Sequence, residues 1–329
     1  MPSREARTRV LVTGAGGPAA IAVMRSLRGD PAVRLIAADM DYWAAGRYLV
    51  PAADRTLIPP GAASGFADTL LARCRQLAVD VVIPTVDAEL RPLAAARGTF
   101  AAAGIRLMLA PDQALRVILD KVALARHCQG VVRVPRTEPL DDTLDPADWT
   151  YPVVVRPRAG SGSRDIRILR AAAELSATER SDDLLVQQYL PGDEYSIDVF
   201  AGQPGHVIAA VPRLRARVDS GISVAGRTVH DAGLERFGAA VAEATGVQFI
   251  ANVQAKRDAS GRPCLLEVNP RAPGSLALTI ASGVDMPRLA MDVLSGRPVP
   301  DHADFREIAM VRFLDERVVE LAELRRGAA

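Results

Sequence analysis

The sequence predicts an α/β chain with two unlike parts, a doubly wound parallel sheet in front and an antiparallel α+β region behind. Three observations carry this. Up to residue 110, short and almost wholly apolar runs alternate with amphipathic stretches, the pattern of parallel strands covered on both faces by helices. After Pro135 the apolar runs crowd together. They are joined by short turns such as Ala201-Gly202-Gln203-Pro204-Gly205 and Asp258-Ala259-Ser260-Gly261, which suit antiparallel pairing.

In the front part, strands are expected over 9–13, 35–39, 80–84 and 105–109, with helices over 18–27, 66–77 and 89–103. Pro111 opens a new helix with Asp112 in its first turn. The back part reads as strands over 153–158, 166–169 and 184–189 around a helix over 171–179. Strands over 194–201 and 206–217, a helix over 234–245 and strands over 248–256 and 263–269 follow. No internal repeat is found, and no low-complexity segment beyond Ala-rich helices.

At 329 residues the chain can bury a large core divided into two or three domains. A net charge of +1 excludes a strong pull toward nucleic acid or an anionic membrane. No apolar run approaches the roughly 20 residues of a membrane span. Residues 1–9 do not read as a signal peptide, so a cytoplasmic location is expected. Cys74, Cys128 and Cys264 are odd in number and lack metal-ligand spacing, which suits free thiols. His127, His206, His230 and His302 fit neither a metal cluster nor a triad. Of 40 basic residues only Lys121 and Lys256 are lysines. Each marks either a place needing a compact ammonium or a chance survivor of a strong bias toward Arg.

The most informative stretch is Leu265-Leu266-Glu267-Val268-Asn269-Pro270-Arg271. Along a strand, side chains alternate faces, so Glu267, Asn269 and, if the extended path continues, Arg271 point one way. A carboxylate and an amide oxygen are hard ligands suited to Mg²⁺, and a guanidinium forks onto phosphate. Gln254, on the preceding strand, can add one more oxygen. Upstream, Arg156-Pro157-Arg158 runs into Ala159-Gly160-Ser161-Gly162-Ser163, a turn of small residues able to fold over a triphosphate and offer it backbone N–H groups. An ordinary hairpin loop is the alternative. Leu184–Leu190 is an apolar strand against which an adenine ring could lie, with Glu194 within reach of the ribose. Pro212-Arg213-Leu214-Arg215-Ala216-Arg217 places three arginines on one strand face, for phosphates, for a substrate carboxylate or as a solvated edge. Thr13-Gly14-Ala15-Gly16-Gly17-Pro18 follows a strand and opens a helix, where a dinucleotide could sit with Asp39 on its ribose. The spacing is not the full G-x-G-x-x-G, and a structural turn explains it as well.

Taken in order, these pieces resemble the ATP-grasp superfamily, and within it the branch of the carbamoyl phosphate synthetase large chain and the pyrrolysine-biosynthesis ligase. The resemblance spans nearly the whole chain. It is carried by Asp120-Lys121, Val155-Arg156-Pro157-Arg158 with its Gly/Ser loop, Gln187 to Glu194, and Asn252-Val253-Gln254 followed by Glu267-Val268-Asn269-Pro270-Arg271. It implies a Rossmann-like pre-ATP-grasp domain over 1–110, a small lid subdomain over 111–190 and a C-terminal subdomain with the metal site over 191–329.

By resemblance, Lys121 and Arg156 contact the nucleotide, and Gly160, Ser161, Gly162 and Ser163 cover its triphosphate. Gln187, Gln188, Tyr189 and Leu190 form the adenine hinge, and Glu194 binds ribose. Gln254, Glu267 and Asn269 hold Mg²⁺, for which Mn²⁺ can substitute. Arg271 steadies the migrating phosphoryl group, with Arg217 and Asn269 also in the catalytic set. Relatives often carry Lys at the position of Arg156, an acid at Gln187 and Gly at Asp165.

The implied activity joins a carboxylate to an amine through an acyl phosphate, using ATP, on small amino-acid-like substrates. Thr85, Asp87 and Glu89, after the strand expected over 80–84, sit where a substrate amine could be held, with Arg215 and Ser275 as further substrate contacts; turn-forming and helix-capping roles explain Asp87 equally well. Neither nucleic acid nor membrane is an expected partner; a homodimer is. The competing readings are phosphorylation of bicarbonate or formate, a nucleotide-binding module without turnover, and a nicotinamide-dependent oxidoreductase.

Overall fold

The computed structural model describes residues 7–160, 165–219 and 221–325. The chain divides into two compact units. The first comprises the chain up to Ala110, Arg271–Arg306 and the segment from Val311 on; the second is Pro111–Pro270 with Glu307–Met310.

The first unit holds a five-stranded sheet of β1 (Thr8–Val12), β2 (Val33–Asp39), β3 (Arg55–Leu57), β4 (Val81–Ile83) and β5 (Arg106–Leu107). The order is β3-β2-β1-β4-β5 and every pairing is parallel. The chain winds outward from β1, then returns to β4 on the other side, so a topological switch lies between β1 and β4. The central strands are apolar where they cross the core, Val10 to Val12 and Val81 to Ile83 being fully buried. Helices α1 (Pro18–Leu27), α2 (Phe66–Gln76), α3 (Asp87–Ala95) and α4 (Arg97–Ala102) belong to this unit. The helix expected over 89–103 is two helices. It begins earlier, where Asp87 and Glu89 in the first turn complement the helix dipole, and breaks at Ala96, whose ψ of 3 leaves the helical range.

The second unit opens with α5 (Asp112–Ile118) and α6 (Lys121–Cys128). A four-stranded antiparallel sheet follows, built from β6 (Thr137–Leu140), β7 (Val153–Pro157), β8 (Arg167–Leu169) and β9 (Ser181–Gln188) in the order β6-β9-β7-β8. Its own small core joins Leu140, Leu144, Trp149, Val153, Val155, Leu169, Leu175 and Val186. The helix expected over 171–179 is a short α7 (Ala172–Ser176).

A six-stranded sheet completes the unit: β10 (Glu194–Gln203), β11 (His206–Asp219), β12 (Ile222–Thr228), β13 (Phe249–Arg257), β14 (Pro263–Asn269) and β15 (Ala309–Val311), ordered β14-β13-β10-β11-β12-β15. One face is covered by α8 (Ala232–Thr245), whose Gly238 lies so close to β10 that a Cβ there would stand 2.5 Å from Ile197 Cγ2. The chain then adds α9 (Leu276–Ser282) and α10 (Met286–Leu294) to the first unit, both packed on α1.

Candidate active site

The face of the six-stranded sheet turned away from α8 is polar, and strand register composes it. On β13, Asn252 and Gln254 stand opposite Asn269 and Glu267 of β14, and opposite Asp198 and Ser196 of β10. Directly opposed residues share a face, so a row of oxygen-bearing side chains runs across three strands. Asp198, Asn252, Glu267 and Asn269 are all buried, and Gln254 is half-buried. Asn269 Nδ2 lies 3.4 Å from Glu267 Oε1, which leaves the amide oxygen of Asn269 directed elsewhere.

Glu267 carries most of the local charge. Arg156 at the end of β7 donates from Nη2 to Glu267 Oε2, and Lys121 Nζ approaches the same oxygen at 3.7 Å. All three side chains are about nine-tenths buried. Lys121 is the first residue of α6, and its Nζ also donates to the carbonyl of Gly160 at 2.6 Å. Asp120 fixes that helix start by capping it, accepting from the amides of Val122 and Ala123 at 2.9 and 3.1 Å. The same carboxylate takes the Arg158 guanidinium at 2.7 Å. Burial raises the Asp120 carboxyl, but the Arg158 and amide hydrogen bonds outweigh it and hold its pKa below the ordinary value. The stretch Arg156–Gly160 is thus tied to the start of α6 at three points, counting the bond from the Lys121 amide to the Arg158 carbonyl. Ser161, Gly162 and Ser163 lie outside the described residues; Gly160, with φ +92, takes a conformation that favours glycine.

The expected adenine hinge is the end of β9. Gln187 is buried, donating from Nε2 to Thr137 Oγ1 at 2.9 Å, and the Gln188 amide donates to the Arg136 carbonyl at 2.8 Å. Leu190 is buried, and Lys256 Nζ sits 5.3 Å from the centre of the Tyr189 ring. Glu194 is paired with Arg215.

The three arginines of β11 do not share one environment. Slips of register on either side of Arg217 break the period, so Arg217 is exposed while Arg213 is buried. Arg213 forks onto Asp198 at 2.6 and 2.9 Å, and Asn252 Nδ2 adds a third bond to that carboxylate at 2.7 Å. This network was not expected from sequence. Its signal is Asp198, a lone charge in the apolar run Ile197–Ala201, two and four residues from Ser196 and Glu194 and so on their face.

In the first unit, Thr85 and Glu89 face inward. Glu89 Oε2 accepts from Thr13 Oγ1 at 2.5 Å, and its carboxylate also takes the amide of Val86, so it closes the first turn of α3 as a capping box does. Burial pushes its pKa up to about 7, against those two hydrogen bonds. Thr85 Oγ1 donates to the Thr13 carbonyl at 2.8 Å. Asp87, at the start of α3, is paired with Arg271 at 2.5 Å. Ser275 is buried at the start of α9. The structure therefore groups Thr85 with Glu89, and Asp87 with Arg271.

The glycine turn has its amides in use. Ala15 donates to the Ala38 carbonyl, Gly17 to the Gly14 carbonyl, and Gly16 to Asp39 Oδ2 at 2.8 Å. Asp39, expected as a ribose partner on the dinucleotide reading, instead holds the turn. The three cysteines are buried and free, with Cys74 pushed by burial to about 12 and Cys128 to about 11. Among the described residues no cluster of three or more His, Cys, Asp or Glu occurs, and no helix is long and apolar enough to cross a membrane. The expected ligand set needs no such cluster, having one carboxylate and two amides.

Two family models match the chain. One, described as PylC-like, N-terminal domain, covers residues 10–108; the other, described as ATP-grasp in the biosynthetic pathway with Ter operon, covers residues 180–317. A putative D-alanine–D-lactate ligase of Streptomyces coelicolor is 27% identical over 148 residues, 43% of each chain. The chain spans about two fifths of the length of the curated relatives it matches. Among solved structures, the biotin carboxylase domain of a Hydrogenobacter thermophilus 2-oxoglutarate carboxylase, in complex with MgADP and bicarbonate, superposes with a TM-score of 0.73. It is 18% identical, over 90% of this chain and 71% of that one. An L-amino acid ligase of Bacillus licheniformis has a TM-score of 0.67 at 16% identity, over 88% of this chain and 75% of that one. A parallel sheet followed in sequence by two antiparallel sheets agrees with both family models: the chain carries a PylC-like N-terminal domain over residues 10–108 and an ATP-grasp region over residues 180–317.

Proposed function

We propose that the protein is an ATP-dependent carboxylate–amine ligase acting on small, amino-acid-like substrates through an acyl phosphate. The observation that carries this reading is Glu267, buried between Lys121 and Arg156 on a sheet face that also bears Gln254 and Asn269. The donor set fits Mg²⁺: one carboxylate and two amide oxygens, all hard, on neighbouring strands. Glu267, Asn269 and Gln254 would hold the ion, which when bound supplies charge neutralisation at the phosphates.

The residues around it have separate tasks. Lys121 and Arg156 hold the triphosphate. Gln187 to Leu190 present backbone and side chain to the adenine, and Glu194 takes the ribose, its pairing with Arg215 holding the carboxylate in place. Arg271 binds the phosphoryl group in transfer. Cations are required because the attacking carboxylate and the phosphate repel; two unit charges 4 Å apart interact by about 4 kcal/mol at an effective dielectric near 20. The amine then attacks the acyl phosphate carbonyl, the C–N bond forms, phosphate leaves with the former carboxylate oxygen, and the amine loses a proton. Enclosure of this step keeps water from the activated acid.

The test is a panel of amino acids and simple carboxylates with MgATP, scored for ADP release and for condensed products by mass spectrometry. Acid- and amine-dependent ADP with a matching amide mass is expected; ADP release indifferent to every acid would contradict the reading. A second reading, phosphorylation of bicarbonate, is supported by the likeness to the carboxylase domain that holds MgADP and bicarbonate. Stimulation by bicarbonate alone would favour it.

A further inference from the structure

The pairing of Arg271 with Asp87 joins two groups that the sequence assigned to different ligands, the phosphoryl group and a substrate amine. Arg271 follows Asn269 by two residues, while Asp87 lies 184 positions upstream of Arg271 at the start of α3. The guanidinium donates from Nη2 to Asp87 Oδ2 at 2.5 Å and from Nη1 to the carbonyl of Ala272 at 3.1 Å. Its Nε is buried with no acceptor, so the head group is held from its Nη end. Both side chains are largely buried, at 15 and 21% exposure, where a charge-assisted bond fixes geometry better than it does in water.

Asp87 is itself held firmly. Its carboxylate sits in the first turn of α3, where the helix dipole favours an anion. Glu89, two residues on, locks that turn to Thr13 at the end of β1 and to the Val86 amide. The ends of two central strands and a helix start therefore set where Asp87 stands, and Asp87 sets where the Arg271 guanidinium stands. Engaged in this way, Asp87 is poorly placed to hold the ammonium of a substrate.

We propose that Asp87 is a positioning residue that orients Arg271 for phosphoryl transfer. The proposal rests on the ligase reading above.

The test follows ADP release by the full chain with MgATP and a mixture of the common amino acids, or bicarbonate if that alone stimulates. Asp87→Asn should lower kcat about tenfold or more while the KM for MgATP stays within about twofold, the mark of an interaction made in the transition state. Asp87→Glu should recover part of the loss. Arg271→Lys placed in the Asp87→Asn background should add little to it, because the two residues act as a unit. If Asp87→Asn folds poorly, Asp87→Ser gives the same comparison. Unchanged kcat in either variant overturns the role, as does a raised KM for the amine at unchanged kcat. A faster Asp87→Asn enzyme also overturns it, since Asp87 would then be parking Arg271. No ADP release by the unaltered protein with any of these acids would instead bring down the ligase reading and this role with it.

Discussion

Glu267 sits where two cations meet, which changes what its removal should do. Glu267→Ala leaves Lys121 and Arg156 buried without their shared carboxylate, and breaking a buried pair costs about 3–5 kcal/mol. Lost turnover in that variant would mix chemistry with unfolding. Glu267→Gln also loses the charge but keeps the shape and an acceptor oxygen for Arg156; it should abolish ADP release at a smaller loss of thermal stability than Glu267→Ala. Asp198→Ala belongs to the same class without touching substrate: it strands the nearly inaccessible Arg213 and should lower stability by about 3–5 kcal/mol in denaturant titration. Glu89 carries a pH signature. Its folded pKa of about 7 lies above the ordinary 4.5, so between these values the folded state keeps a proton that the unfolded chain has lost. Its contribution is fully favourable below pH 4.5 and fades as pH rises toward 7, by up to about 3 kcal/mol at 1.36 kcal/mol per unit. Glu89→Gln should flatten this fall in urea midpoints measured from pH 4.5 to 7. At this scale the sequence made the polar row Gln254, Glu267 and Asn269 legible, because alternation along a strand is local. The partners of these residues were not legible: Arg156 on Glu267, Arg215 on Glu194 and Arg271 on Asp87 join residues 111, 21 and 184 positions apart.

At the scale of elements, hydrophobic periodicity located the long strands and the amphipathic helices, since each meets the core on a regular stripe. It missed β3 and β6, which are short and partly polar, and β12, where Gly226 admits β11 so closely that a Cβ would stand 2.7 Å from the Leu214 carbonyl oxygen. It also read the β11 arginines as one face, because a register slip has no local signature. The start of α6 is the element junction with the most at stake. Asp120 is both its cap and the partner of Arg158, so Asp120→Ala should cost about 1–2 kcal/mol from the cap alone. Because Lys121 and the strand leading to Gly160 share that junction, the same variant should also raise the KM for MgATP in ADP-release assays.

For the whole molecule, the parallel front and antiparallel back were predicted from the change in spacing of apolar runs, and both are present. The return of Arg271–Arg306 to the first unit was not, because nothing in a local pattern tells which core a late helix joins. The glycine turn was ambiguous in sequence, and in the structure the three amides from Ala15 to Gly17 have acceptors within the chain. Accordingly MgATP, and not a nicotinamide dinucleotide, should raise the melting temperature, by an amount set by RT ln(1 + [L]/Kd). Activation of a carboxylate as an acyl phosphate can be followed directly through the carboxylate oxygen. The protein is incubated with MgATP and amino acids labelled with heavy oxygen in the carboxylate, and the released phosphate is weighed by mass spectrometry. Phosphate carrying one heavy oxygen from the acid is expected; ADP formed with wholly unlabelled phosphate would show that no acyl phosphate forms.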